Sequence, residues 1–140
     1  MGKILCSTRG GEASYRAQDA AIALAKEQGD SLIFLYVVDL HFLDKTRRST
    51  IVPVEQEVTK MGKFLLVMAQ ERAAEQGVTA ETICRKGEFH PELANTAREE
   101  TVSLIVLGRP ADGESMFKLT ALQTFAAEVE RETGVETRII

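Results

Sequence analysis

SLIFLYVVD, residues 31–39, is apolar without interruption from Leu32 to Val38, apart from the amphipathic Tyr36. A strand with one wet face alternates apolar and polar residues. A run with no alternation reads instead as a strand covered on both faces, as in a parallel sheet sandwiched between helices. KILCS (3–7) and SLIVLG (103–108) have the same character and read as further inner strands. TAETICR (79–85) alternates and reads as a strand near a sheet edge, and VETRII (135–140) ends the chain as a fifth strand.

Helical periodicity fills the intervals. In EASYRAQDAAIALAKEQG (12–29) apolar positions 13, 17, 20, 21, 24 and 25 share a face, and Gly29 supplies a stop. A second helix is predicted over Val54–Gln76, ending at Gly77. A third begins at Pro91 and runs through PELANTAREET, and a fourth follows in LTALQTFAAEVERETG, with Thr120 and Gln123 spaced as a capping box. DLHFLDKTRRSTIVPV (39–54) and RPADGESMFK (109–118) read as loops. Strands alternating with helices, joined by short turns, predict one α/β domain over residues 1–140. Its sheet is open, parallel and five-stranded, Rossmann-like, with helices on both faces and strand order 3-2-1-4-5.

Composition narrows the function. The 140 residues are 44% apolar and 27% charged, with net charge −4, no Trp and 6% aromatic residues. Neither a basic surface nor a stacking platform for nucleic acid is on offer, and no apolar run reaches the roughly 20 residues that span a bilayer. The chain enters its first strand within two residues, leaving no room there for a signal peptide, and Cys6 and Cys84 lie alone in apolar runs. A cytoplasmic protein with two free thiols is expected, with no nucleic-acid or membrane partner.

In open parallel sheets ligands bind beyond the carboxyl ends of the strands, where strand order reverses. That address is written by STRGG (7–11), by the end of strand 2 at Val37, and by LGRPADG (107–113). Candidate ligand-binding residues are therefore Thr8, Arg9, Gly10, Gly11, Val37, Gly108, Arg109 and Ser115. Arg9 and Arg109 each carry a fork of donors suited to phosphate or carboxylate. Arg9 could equally pair with Asp39 or Asp112, and Gly10–Gly11 serves a tight turn as readily as a phosphate cradle. Pro110 removes one backbone donor from the mouth. A flat ring could slide between the strand ends near Val37 and Leu107. His41 reads as a loop residue and His90 as one near the cap of helix 3. Arg47–Arg48 reads as a solvated loop that could fold over an anion. Neither histidine lies beside Ser7, Thr8 or Ser115, so no catalytic residue and no metal site is assigned. A receiver domain would end strand 3 in an acceptor Asp, which CRKGE (84–88) lacks, and a flavodoxin would carry a hydroxyl-rich loop where TRGGEAS (8–14) stands.

KILCSTRGGEASYRAQDAAIALAKEQG, SLIFLYVVD and GEFHPELANTAREETVSLIVLG, in this order and spacing, resemble a universal stress protein domain across nearly the whole chain. The resemblance implies an adenine nucleotide alpha hydrolase-type fold. It also implies a homodimer joined through the last strand, Val135 to Ile140, and in some members ATP binding. The family's ATP pattern asks for an Asp at the end of strand 1, where this chain has Arg9. After strand 4 it asks for G-x2-G-x9-G and then Ser or Thr, met here by Gly108, Ala111, Ala121 and Leu122. One of the four later positions is kept, and the acid has become a base. The expectation is a non-enzymatic interaction or sensory module of stress adaptation with no cofactor. The alternative is an ATP, AMP or other anion binder with a rearranged site on Arg9, Arg109 and Ser115.

Overall fold

The computed structural model describes residues 2–9, 12–40, 48–109 and 116–140, and the side chains of 12, 13, 48–52 and 116–118 are also outside it. The elements run β1 (Lys3–Ser7), α1 (Glu12–Gln28), β2 (Ser31–Val38), α2 (Arg48–Glu75), β3 (Ala80–Lys86), α3 (Phe89–Glu99), β4 (Leu104–Leu107), α4 (Met116–Thr133) and β5 (Glu136–Ile139). The five strands form one sheet in the order β3-β2-β1-β4-β5, every pair parallel. This is the α/β architecture and the strand order expected from the sequence.

Side chains alternate across each strand and divide the core in two. Ile4, Cys6, Leu32, Phe34 and Tyr36 face α1 and α2, where Ala17, Ala21, Leu66, Ala69 and Ala73 meet them. Leu5, Ile33, Leu35, Ile105 and Leu107 face α3 and α4, against Leu93, Ala97, Ala126 and Val129. Both faces of β2 are thus buried, which is why its sequence shows no alternation. β3 and β5 lie at the edges. Gly29 and Gly77 adopt φ of 70° and 78° just past α1 and α2, and the next residues, Asp30 and Val78, donate back to Ala25 and Ala73. Only glycine enters that conformation without a Cβ penalty, so both helices stop where the sequence said they should.

Three boundaries differ from the sequence reading. α2 starts at Arg48, not Val54, and carries Pro53 inside it. Proline keeps a helical φ and forfeits one hydrogen bond, a loss that a 28-residue helix absorbs. α3 starts at Phe89, so Pro91 sits in its first turn and not at its first position, and His90 is its second residue. α4 starts at Met116, because Met, Lys and Leu continue a helix readily. Thr120 is therefore not a cap: it lies in the second turn, where its carbonyl accepts from the Thr124 hydroxyl at 3.1 Å. His41 and Arg47 lie outside the described residues, as does the side chain of Arg48.

At the β5 edge, Ile140 donates to the Leu107 carbonyl and accepts from the Arg109 amide, both at 2.9 Å. The alternate residues Thr137 and Ile139 turn their backbone groups outward. The Thr137 amide donates to Glu130 Oε1 at 3.0 Å. Among the described residues no helix is long and apolar enough to cross a membrane.

Candidate functional site at the carboxyl edge of the sheet

Parallel pairing brings the ends of β1, β2 and β4 side by side, with Ser7 opposite Leu35 and Cys6 opposite Val106. Thr8, Arg9, Val37, Gly108 and Arg109 all lie at this edge. Gly10, Gly11 and Ser115, like Pro110 and Asp112, fall outside the described residues.

Each placed residue has a definite environment. Thr8 is fully buried, and its hydroxyl accepts from Gln18 Nε2 at 2.7 Å, so it locks α1 to β1. The Arg9 amide donates to Ser14 Oγ at 3.0 Å, tying the end of β1 to the first turn of α1. The Arg9 guanidinium is exposed and lies over the Phe89 ring, 5.7 Å from its centroid. Phe89 stacks on Phe125 of α4 with centroids 5.4 Å apart, and His90 meets the edge of Phe125. Val37 is half-buried against the α3–α4 core, Gly108 is buried, and the Arg109 side chain is exposed while its amide is bound to Ile140. Arg9 thus rests on the aromatic pair, while the Arg109 main chain is tied to the end of the chain.

Several features of this edge escaped the sequence reading. Asp39 accepts from the Phe89 amide at 2.8 Å and so caps α3 from the neighbouring strand. Among the described residues Ser7 Oγ and Gln18 Oε1 are buried without hydrogen-bond partners. Such atoms are costly unless something bonds to them. Phe89 and Phe125 carried a weak signal, one beside the Gly87 turn and the other inside a helical stripe. His90 Nε2 lies 2.8 Å from Glu132 across the α3–α4 groove.

The residues matching the nucleotide pattern after β4 are placed differently from a phosphate cradle. Ala121 and Leu122 lie in the second turn of α4, where amides are bound to carbonyls four residues earlier. Leu122 packs against the α3–α4 core. A helix offers free donors to an anion only in its first turn.

The thiols are quiet. Burial pushes the Cys6 thiol up to about 12. Burial raises Cys84 as well, opposed by Lys63 and Lys86.

The sequence model of the Universal stress protein family matches residues 1–133. The chain belongs to this family. It is 40% identical over 124 residues to the universal stress protein YxiE of Bacillus subtilis (strain 168), covering 77% of this chain and 78% of that one. The fold is that of universal stress protein UspA from Lactobacillus plantarum, with TM-score 0.84 and 17% identity over 99% of this chain and 97% of that chain. It is likewise that of a universal stress protein in complex with cAMP, with TM-score 0.70 and 20% identity over 99% of this chain and 96% of that chain.

Proposed function

We propose that this universal stress protein is a non-enzymatic interaction or sensory module that acts without ATP bound in the family's manner. One observation carries the reading: α4 starts at Met116, which buries the amides of Ala121 and Leu122 inside a helix. Phosphate binding through those positions needs free backbone donors at a helix start. Arg9 in place of an acid, held over Phe89, points the same way. The protein pairs with a second copy through Val135 to Ile140, where the outward carbonyl of Thr137 and the amide and carbonyl of Ile139 offer a strand edge once Glu130 releases the Thr137 amide. Its place is the cytoplasm.

A second reading rests on a different observation. Among the described residues Ser7 Oγ and Gln18 Oε1 are buried without partners, on opposite faces of β1, and a ligand reaching the carboxyl edge with N–H or O–H donors would satisfy one of them. The cAMP complex of a similarly folded universal stress protein makes a nucleotide the first ligand to try.

Thermal unfolding with and without millimolar ATP, AMP and cAMP, together with native mass spectrometry of the purified protein, separates the two. A ligand at about 100 times its Kd stabilises by roughly 2.7 kcal/mol, which is several degrees for this size. The expected result is no shift and no co-purified nucleotide. A shift abolished by Arg9→Ala overturns the first reading in favour of a rearranged site.

A further inference from the structure

The outer face of α2 carries Met61, Phe64 and Val67, which are 53%, 63% and 49% exposed. The buried face of the helix, with Gly62, Leu66, Ala69 and Ala73, packs on β2 and β3. At 3.6 residues per turn Phe64 and Val67 stand opposite that face, so they take no part in the core. Spaced three apart, Met61, Phe64 and Val67 form one apolar stripe on a solvent-facing helix surface, and a contiguous apolar patch rimmed by polar groups is the kind of feature that contact sites use.

The charges around the stripe say which partner fits. Lys60, whose ammonium lies 3.8 Å from Glu57 of its own helix in a fully solvated pair, and Glu71 are exposed and lie on the same face as Phe64 and Val67, one turn outside them at either end. Lys60 and Glu71 share a midpoint between residues 65 and 66, and so do Phe64 and Val67. A second α2 laid antiparallel about that midpoint therefore places Phe64 against Val67 of the other copy, and Lys60 against Glu71, with both pairs occurring twice. Glu75 lies one turn beyond Glu71 and adds a further acid within reach of the incoming Lys60. A pattern that complements itself under a two-fold rotation fits another copy of this chain.

We propose that α2 is a homotypic interface, in which two copies pair antiparallel through Phe64 and Val67 and are set in register by Lys60 and Glu71. α2 covers the β2–β3 end of the sheet, and β5 forms the opposite edge. Pairing through α2 is therefore spatially independent of pairing through the last strand, and the two together carry the assembly from two copies to four. A single helix-to-helix contact is small by the standard of stable interfaces, so the association belongs in the micromolar range.

Sedimentation equilibrium of the full chain from about 1 to 200 µM reads the mass directly, against the 15.4 kDa of one copy. Phe64→Lys is expected to remove one doubling of mass. That doubling is tetramer to dimer if the strand edge also pairs, and dimer to monomer if it does not, so failure of the strand-edge pairing stays distinguishable. Lys60→Glu alone and Glu71→Lys alone each place like charges across the axis twice and weaken association roughly tenfold or more. The double variant Lys60→Glu/Glu71→Lys restores opposite charges and is expected to recover most of the wild-type association. The proposal is overturned if Phe64→Lys leaves the mass unchanged at every concentration, or if the double charge reversal is as weak as the single ones. All three substituted positions are solvent-facing, and circular dichroism checks that each variant is folded.

Discussion

The carboxylate of Asp39, one residue past the end of β2, accepts a hydrogen bond from the Phe89 amide at 2.8 Å. Phe89 is the first residue of α3, and Glu88 before it makes no side-chain cap. The free donors of a helix start are partly satisfied by a neighbouring strand, and a carboxylate there also meets the positive end of the helix dipole. The same contact fixes Phe89, on which Arg9 rests.

Replacing that cap tests whether the edge is organised by Asp39. Asp39→Ala is expected to cost about 1–2 kcal/mol and to lower Tm by roughly 3–6 °C. Asp39→Asn, which keeps an acceptor, should cost less. Amide exchange of Phe89 should quicken in the alanine variant. Unaltered exchange there would show that the helix start does not depend on this contact.

Gly62 offers a second test, in the interior. A Cβ at this position would come closer to Tyr36 Cδ1 than atoms can sit without movement of the helix or the ring. Alanine has the higher helix propensity, by about 1 kcal/mol, so propensity alone predicts that Gly62→Ala stabilises. Overpacking against Tyr36 outweighs it, and a net loss of about 1–3 kcal/mol is expected. Tyr36→Leu removes the ring and should make the two substitutions strongly non-additive in chemical denaturation. Additive losses would mean that the clash is relieved elsewhere.

Strand order and burial were legible in the sequence because periodicity reports how many faces an element buries. The unbroken run Leu32–Val38 and the alternation in 79–85 placed β2 inside and β3 at an edge. Helix starts were less legible. Pro53 looks like a boundary in the sequence, although proline disturbs a helix locally and need not end it, and Thr120 with Gln123 mimics a cap inside a continuing helix. At the candidate site, strand ends follow from topology, so Thr8, Arg9, Val37, Gly108 and Arg109 were placed correctly on the carboxyl edge. Contacts between residues far apart in the chain leave no periodic trace. Asp39 with Phe89 is 50 positions apart, and the Arg9–Phe89–Phe125 row joins three separate segments.

Cys6 gives the fold an alkaline limit. Burial raises its thiol from the ordinary 9.0 to about 12, so the folded state holds this proton more tightly than the unfolded chain does. The resulting stabilisation is complete below pH 9 and is lost as pH climbs to about 12, by up to about 4 kcal/mol. Urea unfolding across this range should fall more steeply for the wild type than for Cys6→Ala, which is less stable at pH 7 because of its cavity. Parallel curves would refute the assignment. A thiol reagent at neutral pH should label Cys84 slowly, and Cys6 only after unfolding.

The nucleotide pattern can be rebuilt on paper with Arg9→Asp, Ala111→Gly, Ala121→Gly and Leu122→Ser, and the position of α4 predicts that this fails. Glycine inside a helix costs about 1 kcal/mol, and removing the leucine side chain from the α3–α4 core costs about another 1–2 kcal/mol. Arg9→Asp gives up the contact with Phe89, worth about 0.5–1 kcal/mol at an exposed site. The quadruple variant should therefore unfold several degrees below the wild type, and millimolar ATP should return none of that loss. Restoration of Tm by ATP would mean that the first turns of α4 unwind to free the amides of 121 and 122. The helix start at Met116 would then be one of two states of this segment, and the residues at 9, 111, 121 and 122, not the helix, would be what keeps ATP out of the wild type.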